Sequence, residues 1–83
     1  MNRAASLTRY WFRFRDSLCY GVTAYSVEDA TNLLREAGLE LDFDSDLIEI
    51  VHDVDIRSLD QQHVVVNIGP PNFRGVWYPR LNV

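Results

Sequence analysis

Between residues 8 and 15 the side chains alternate in character, with Tyr10, Phe12 and Phe14 on one face and Arg9, Trp11, Arg13 and Arg15 on the other. A period of two is the signature of a strand. Asp16 and Ser17 are turn formers, and residues 18–25 alternate again with Leu18, Tyr20, Val22 and Ala24 on one side, so the first quarter of the chain reads as a β-hairpin. Ser26 then offers a hydroxyl to the first-turn amides of a helix, and Asp29 stands three residues on, where its carboxylate can reach back or meet the helix dipole. Val27, Ala30, Leu33, Leu34 and Ala37 form one stripe at helical spacing, and Gly38 supplies the left-handed residue that commonly ends a helix.

The second half is less regular. Residues 39–46 read as a polar, acidic connection, and residues 47–56 as a strand in which Ile48, Ile50, Val54 and Ile56 keep alternation while His52 breaks it. A polar turn at 58–62 precedes a short β-branched strand at 64–68. Gly69-Pro70-Pro71-Asn72 forces a turn, and residues 73–78 form a last strand before Pro79. The expected fold is a single small α+β domain over 1–83, with 1–7 as a flexible N-terminal tail. One helix packs on a mostly antiparallel or mixed sheet of four to five strands in ββαβββ order, an order shared by β-grasp domains.

Length and composition narrow this further. Eighty-three residues suffice for one core, and 47% hydrophobic with 24% charged residues is an ordinary globular mixture. The lone Cys19 leaves no internal disulfide, so packing must hold the fold. No apolar run approaches the roughly 20 residues of a membrane span. The N-terminus lacks the apolar core of a secretory signal, which makes the cytoplasm the expected compartment. The net charge of −4 is unevenly spread: residues 36–60 carry nine of the twelve acidic side chains and a single arginine. All eight basic residues are arginine.

The phrase Gly21-Val22-Thr23-Ala24-Tyr25-Ser26 followed by Glu28-Asp29-Ala30, together with Gly69-Pro70-Pro71 and Arg74-Gly75-Val76-Trp77-Tyr78-Pro79, resembles a group of small bacterial proteins with no established activity. The resemblance implies a bacterial setting and assigns no functional residue.

Candidate chemistry therefore rests on the residues alone. Arg9, Trp11, Arg13 and Arg15 interleave cations with an aromatic ring, and Asn72, Arg74 and Trp77 extend the set from the Gly-Pro-Pro loop. These residue types are enriched at protein interfaces, and the acidic middle segment suits steering of a basic partner. The favoured reading is a non-catalytic bacterial protein-interaction module of the adaptor, inhibitor or immunity type, with no cofactor. The same Arg and aromatic face has the chemistry of a single-stranded nucleic-acid platform, although acidic net charge opposes it. The third reading is a small metal-dependent or acid–base enzyme using His52, Asp53, Asp55 and His63, whose residue types suit zinc but whose spacing matches no compact motif. Asp42, Asp44 and Asp46 have the alternating carboxylates of a calcium loop, but Leu47 stands where that loop needs glycine.

Overall fold

A computed structural model describes residues 6–79. The first seven residues, expected as a tail, lie outside it except for Ser6 and Leu7. Four strands, β1 (Thr8–Phe14), β2 (Cys19–Ala24), β3 (Leu47–His52) and β4 (Gly75–Tyr78), form one sheet in the order β3-β1-β2-β4, with one helix, α1 (Val27–Glu36). Every pairing among the described residues is antiparallel. The mixed-sheet alternative, and with it the β-grasp arrangement that depends on a parallel pair, is therefore not what forms.

The hairpin closes as its sequence requires. Asp16 and Ser17 both take positive φ, 63° and 62°, and the Phe14 amide donates to the Leu18 carbonyl at 2.7 Å. Ser26 caps α1 by accepting from the Asp29 amide at 3.0 Å, while the Asp29 carboxylate accepts from the Tyr25 amide at 3.0 Å. The Ser26 hydroxyl thus satisfies one orphan donor of the first turn, and the Asp29 carboxylate fastens the residue that precedes the cap. Gly38, at φ 82°, turns the chain away.

On the helix side of the sheet Tyr10, Phe12, Phe14, Tyr20, Val22 and Ala24 meet Ala30 and Leu34 of α1. Phe12 and Leu34 are fully buried, each contributing on the order of 1.5–3 kcal/mol. The segment expected as a polar connection completes this core. Leu39, Leu41 and Phe43 turn inward while Glu40, Asp42 and Asp44 face solvent, and the Phe43 ring stands edge-on to Phe12 and Phe14 at 6.3 and 5.4 Å.

The opposite face is also covered, by residues 54–68. Trp11, Val54 and Trp77 form a second core, flanked by Ile56, Leu59, Val64, Ile68 and Tyr78. The strand expected at 64–68 is instead a turn and a 3-10 segment, Val65–Asn67. Its physical reason is local capping. Asp60 accepts from the Gln62 and His63 amides at 2.8 and 3.0 Å, its carbonyl takes the Val64 and Val65 amides, and the Asn67 side chain donates to the His63 carbonyl at 2.8 Å. These bonds coil the segment and lay Val64 and Ile68 on the tryptophans. The strand expected over 47–56 ends at His52, because Asp53 takes φ 56° and the Val54 amide bonds to the Arg9 carbonyl.

Candidate functional site

The sheet register decides which candidate side chains remain available. Trp11 keeps 8% of its surface and Trp77 1%. Their rings stack with centroids 5.9 Å apart, and the Tyr78 ring lies 5.3 Å from that of Trp11. Adjacent strand residues normally point to opposite faces, yet Trp77 and Tyr78 both enter the second core. The cause is a register shift, Val22 pairing with Val76 and Gly21 with Tyr78, which leaves Trp77 as the extra residue of a bulge. The expectation of an exposed face built around Trp11 and Trp77 is accordingly corrected: both are core.

The arginines of that face separate into three environments. Arg13 reaches Glu49 at 2.6 Å across the β1–β3 pair, and Arg15 approaches Asp46 at 3.8 Å; all four side chains are about half exposed or more. Arg74 leaves the second face altogether and grips Asp29 with two bonds, Nε to Oδ2 at 2.9 Å and Nη2 to Oδ1 at 2.5 Å, its guanidinium lying 5.9 Å from the Tyr25 ring. This fork, helped by the Tyr25 amide, holds the Asp29 carboxyl down at about 2, well below its ordinary value. Arg74 thereby ties the approach to β4 onto the first turn of α1.

Among the candidate arginines, Arg9 borders a recess. It stands opposite Thr23 in the β1–β2 register, and its Nε donates to the Val54 carbonyl and its Nη1 to Asn72 Oδ1, both at 3.3 Å. Thr23 Oγ1 donates to the Pro71 carbonyl at 2.6 Å, holding the Gly-Pro-Pro-Asn loop above the sheet. The recess has a volume of about 150 Å³ and is lined by Leu7, Arg9, Thr23, Asp53, Pro71 and Asn72. Arg9, Asp53 and Asn72 were separate candidates in the sequence; Thr23 was not, and its alternation opposite Arg9 was the only signal that it shares a face with it.

The metal candidates do not converge. His52 packs its ring edge-on to Tyr10 at 5.3 Å, Asp55 caps the turn at Ile56–Ser58 and pairs with Arg57 at 3.0 Å, and His63 Nδ1 contacts Asp60 at 3.1 Å. Among the described residues no three His, Cys, Asp or Glu side chains gather as a metal site. Asp42 spends an oxygen on the Asp44 and Ser45 amides, at 3.0 and 2.9 Å, which makes a tight turn of the would-be calcium loop. Cys19 lies against the second core, where burial pushes its thiol up against a smaller pull from Arg13, the opposite of what an activated thiolate needs.

No family model, curated protein or solved structure matches the chain.

One surface was not anticipated. β3 lies at the end of the sheet order and pairs only with β1 among the described residues. A second register shift, between Arg13 and Phe14, places Ile48 as an extra residue, and its side chain is 57% exposed.

Proposed function

We propose that the domain is a non-catalytic protein-interaction module whose contact surface is the outer edge of β3, where an extended basic segment of another protein adds as a strand. The observation that carries the reading is the open edge itself. In an antiparallel ladder alternate residues of an edge strand turn their N–H and C=O groups outward, and such an edge is a template for pairing. Natural edges are commonly blunted by charged side chains, proline, bulges or very short length; β3 has six residues and neither lysine nor proline, and although it carries Glu49 and a bulge, that bulge turns Ile48 to solvent.

Charge favours a basic occupant. From Glu36 to Asp55 the chain holds eight carboxylates and no arginine, so the approach to β3 from either end is acidic. The bacterial and cytoplasmic setting suggested by the sequence belongs to this same proposal. The nucleic-acid alternative is the less favoured reading, because Trp11 and Trp77, the rings that would stack on bases, are buried.

The test is Ile48→Lys, which places a charge on the edge at an exposed position where substitutions rarely alter stability by more than about 0.5 kcal/mol. Partner recovery from lysate on immobilised domain should be lost at unchanged melting temperature. With the parent protein, hydrogen exchange should slow at β3 amides when the recovered partner is bound. Equal recovery by the variant, or slowing confined to other elements, overturns the edge as the contact surface.

A further inference from the structure

Arg9 is a half-buried cation whose hydrogen bonds run only to neutral oxygens. Its two acceptors, the Val54 carbonyl and Asn72 Oδ1, both stand at 3.3 Å, beyond the usual 2.7–3.2 Å range of N–H···O bonds. Among the described residues no carboxylate oxygen comes within 4.0 Å of its guanidinium nitrogens, although Arg13, Arg15, Arg57 and Arg74 each have one. A guanidinium carries five donors, so the fork retains capacity for a bidentate acceptor.

Asp53 lines the same recess and is the converse case. Its backbone is fixed at φ 56° by the end of β3, and its carboxylate makes neither a hydrogen bond nor an ion pair with a described residue. One recess thus presents a cation with spare donors and an anion with spare acceptors that make no direct ion pair with each other, although the Arg9 charge also acts on Asp55. Its shape is not left to a mobile loop: the Thr23–Pro71 bond and the Arg9–Asn72 bond tie the loop to the sheet on two adjacent strands' side chains. At about 150 Å³ it is smaller than the roughly 300–1,000 Å³ of sites for drug-sized ligands.

We propose that this recess, whose lining is mainly polar, binds a small zwitterion of amino-acid size, its carboxylate on the Arg9 fork and its ammonium on Asp53. The proposal is independent of the β3 edge.

The test is a titration of isotope-labelled protein followed by amide chemical shifts, with L-alanine as the zwitterion and acetate and methylammonium as its two halves. Alanine should shift the amides of Arg9, Thr23, Asp53 and Asn72 saturably, and each half-ligand should bind about tenfold more weakly or worse. Asp53→Asn, which keeps a residue tolerant of positive φ, should weaken alanine about tenfold while acetate, freed of a like charge, binds no more weakly than to the parent. Arg9→Met should abolish both; if it also disperses shifts across the second face, Arg9→Lys, which keeps the charge and loses the fork, should still weaken alanine about tenfold. Absence of saturable shifts with alanine overturns the site. Acetate binding as tightly as alanine, or an Asp53→Asn variant with parental alanine affinity, overturns the zwitterion assignment.

Discussion

Gly21→Ala is the sharpest probe of the second core, because the direction of its effect depends on one contact. Gly21 lies in the middle of β2 at an ordinary extended φ, where glycine costs about 0.5–1 kcal/mol relative to alanine. Backbone considerations alone therefore make the substitution stabilising. Packing reverses the sign. A Cβ at Gly21 would lie 2.5 Å from Cη2 and Cζ3 of Trp77 and 2.6 Å from Cζ2, against an optimal carbon–carbon separation of about 3.5–4.0 Å. The six-membered ring would have to retreat by about 1 Å, and it cannot do so alone, because its stack on Trp11 and its near-complete burial leave no slack. Overpacking of this kind costs about 1–3 kcal/mol, which in a domain of this size lowers the melting temperature by about 4–8 °C per kcal/mol. Thermal and urea unfolding, followed by circular dichroism and tryptophan fluorescence, measure it. Trp77→Leu supplies the internal control: with the ring gone the clash disappears, so Gly21→Ala should become neutral or stabilising in that background, a coupling of about 1 kcal/mol or more. A single Gly21→Ala variant more stable than the parent, showing the backbone gain of about 0.5–1 kcal/mol with no packing cost, would refute the stacking of Trp77 on the β2 backbone, and with it the assignment of the second face as core.

Two further outcomes follow from the same packing and from the Arg74 fork. Trp11→Ala should remove about 3–5 kcal/mol, a large share of the 5–15 kcal/mol typical of a whole domain, so that urea unfolding shows a strongly lowered midpoint or no folded baseline; a near-parental midpoint would return Trp11 to the surface. Asp29, held at about 2 against an ordinary 3.8, contributes stability that is present above about pH 3.8 and lost as the pH falls through about 2, whereas Asp29→Asn should flatten that limb of the stability–pH curve and leave the curve near neutrality with a constant offset; an unchanged acid limb in the variant would show that the fork does not persist in solution.

The elements that were legible in the sequence are those closed by local chemistry. The hairpin needed only Asp16 and Ser17 and two alternating runs, and α1 only the Ser26 and Asp29 cap and its apolar stripe. The second half resisted because its segments are shaped by what they cover. Residues 64–68 have strand composition but are coiled by Asp60 and Asn67, and residues 39–43 look like an acidic connection yet carry Leu39, Leu41 and Phe43 into the core at alternate positions. Trp11 was misplaced for a related reason. Three arginines on its face suggested solvent, but long guanidinium side chains reach past a buried neighbour to the rim, as Arg13 does to Glu49. The overlooked signal was the surplus of apolar residues between Val54 and Ile68, more than one edge strand can use, which required a second face to cover.

That misplacement bears on how any binding surface in this protein can be found. The most conspicuous residues for an interface scan are its two tryptophans, and both hold the second core, so alanine at either would abolish partner binding by unfolding the domain and would be scored as a hot spot. The informative positions are those whose side chains contribute little to either core. Ile48 is more than half exposed on an edge strand, and Asp53 is exposed at the rim of the recess. The two lie at opposite ends of β3, Ile48 at the bulge on its outer edge and Asp53 at the positive-φ residue just past its C-terminal end, so substitutions there separate a partner that adds a strand from a small ligand in the Arg9 recess. A variant set combining Ile48→Lys with Asp53→Asn should therefore lose both activities additively if the two sites are independent, while loss of both functions from either single change would mean that one ligand spans the end of β3.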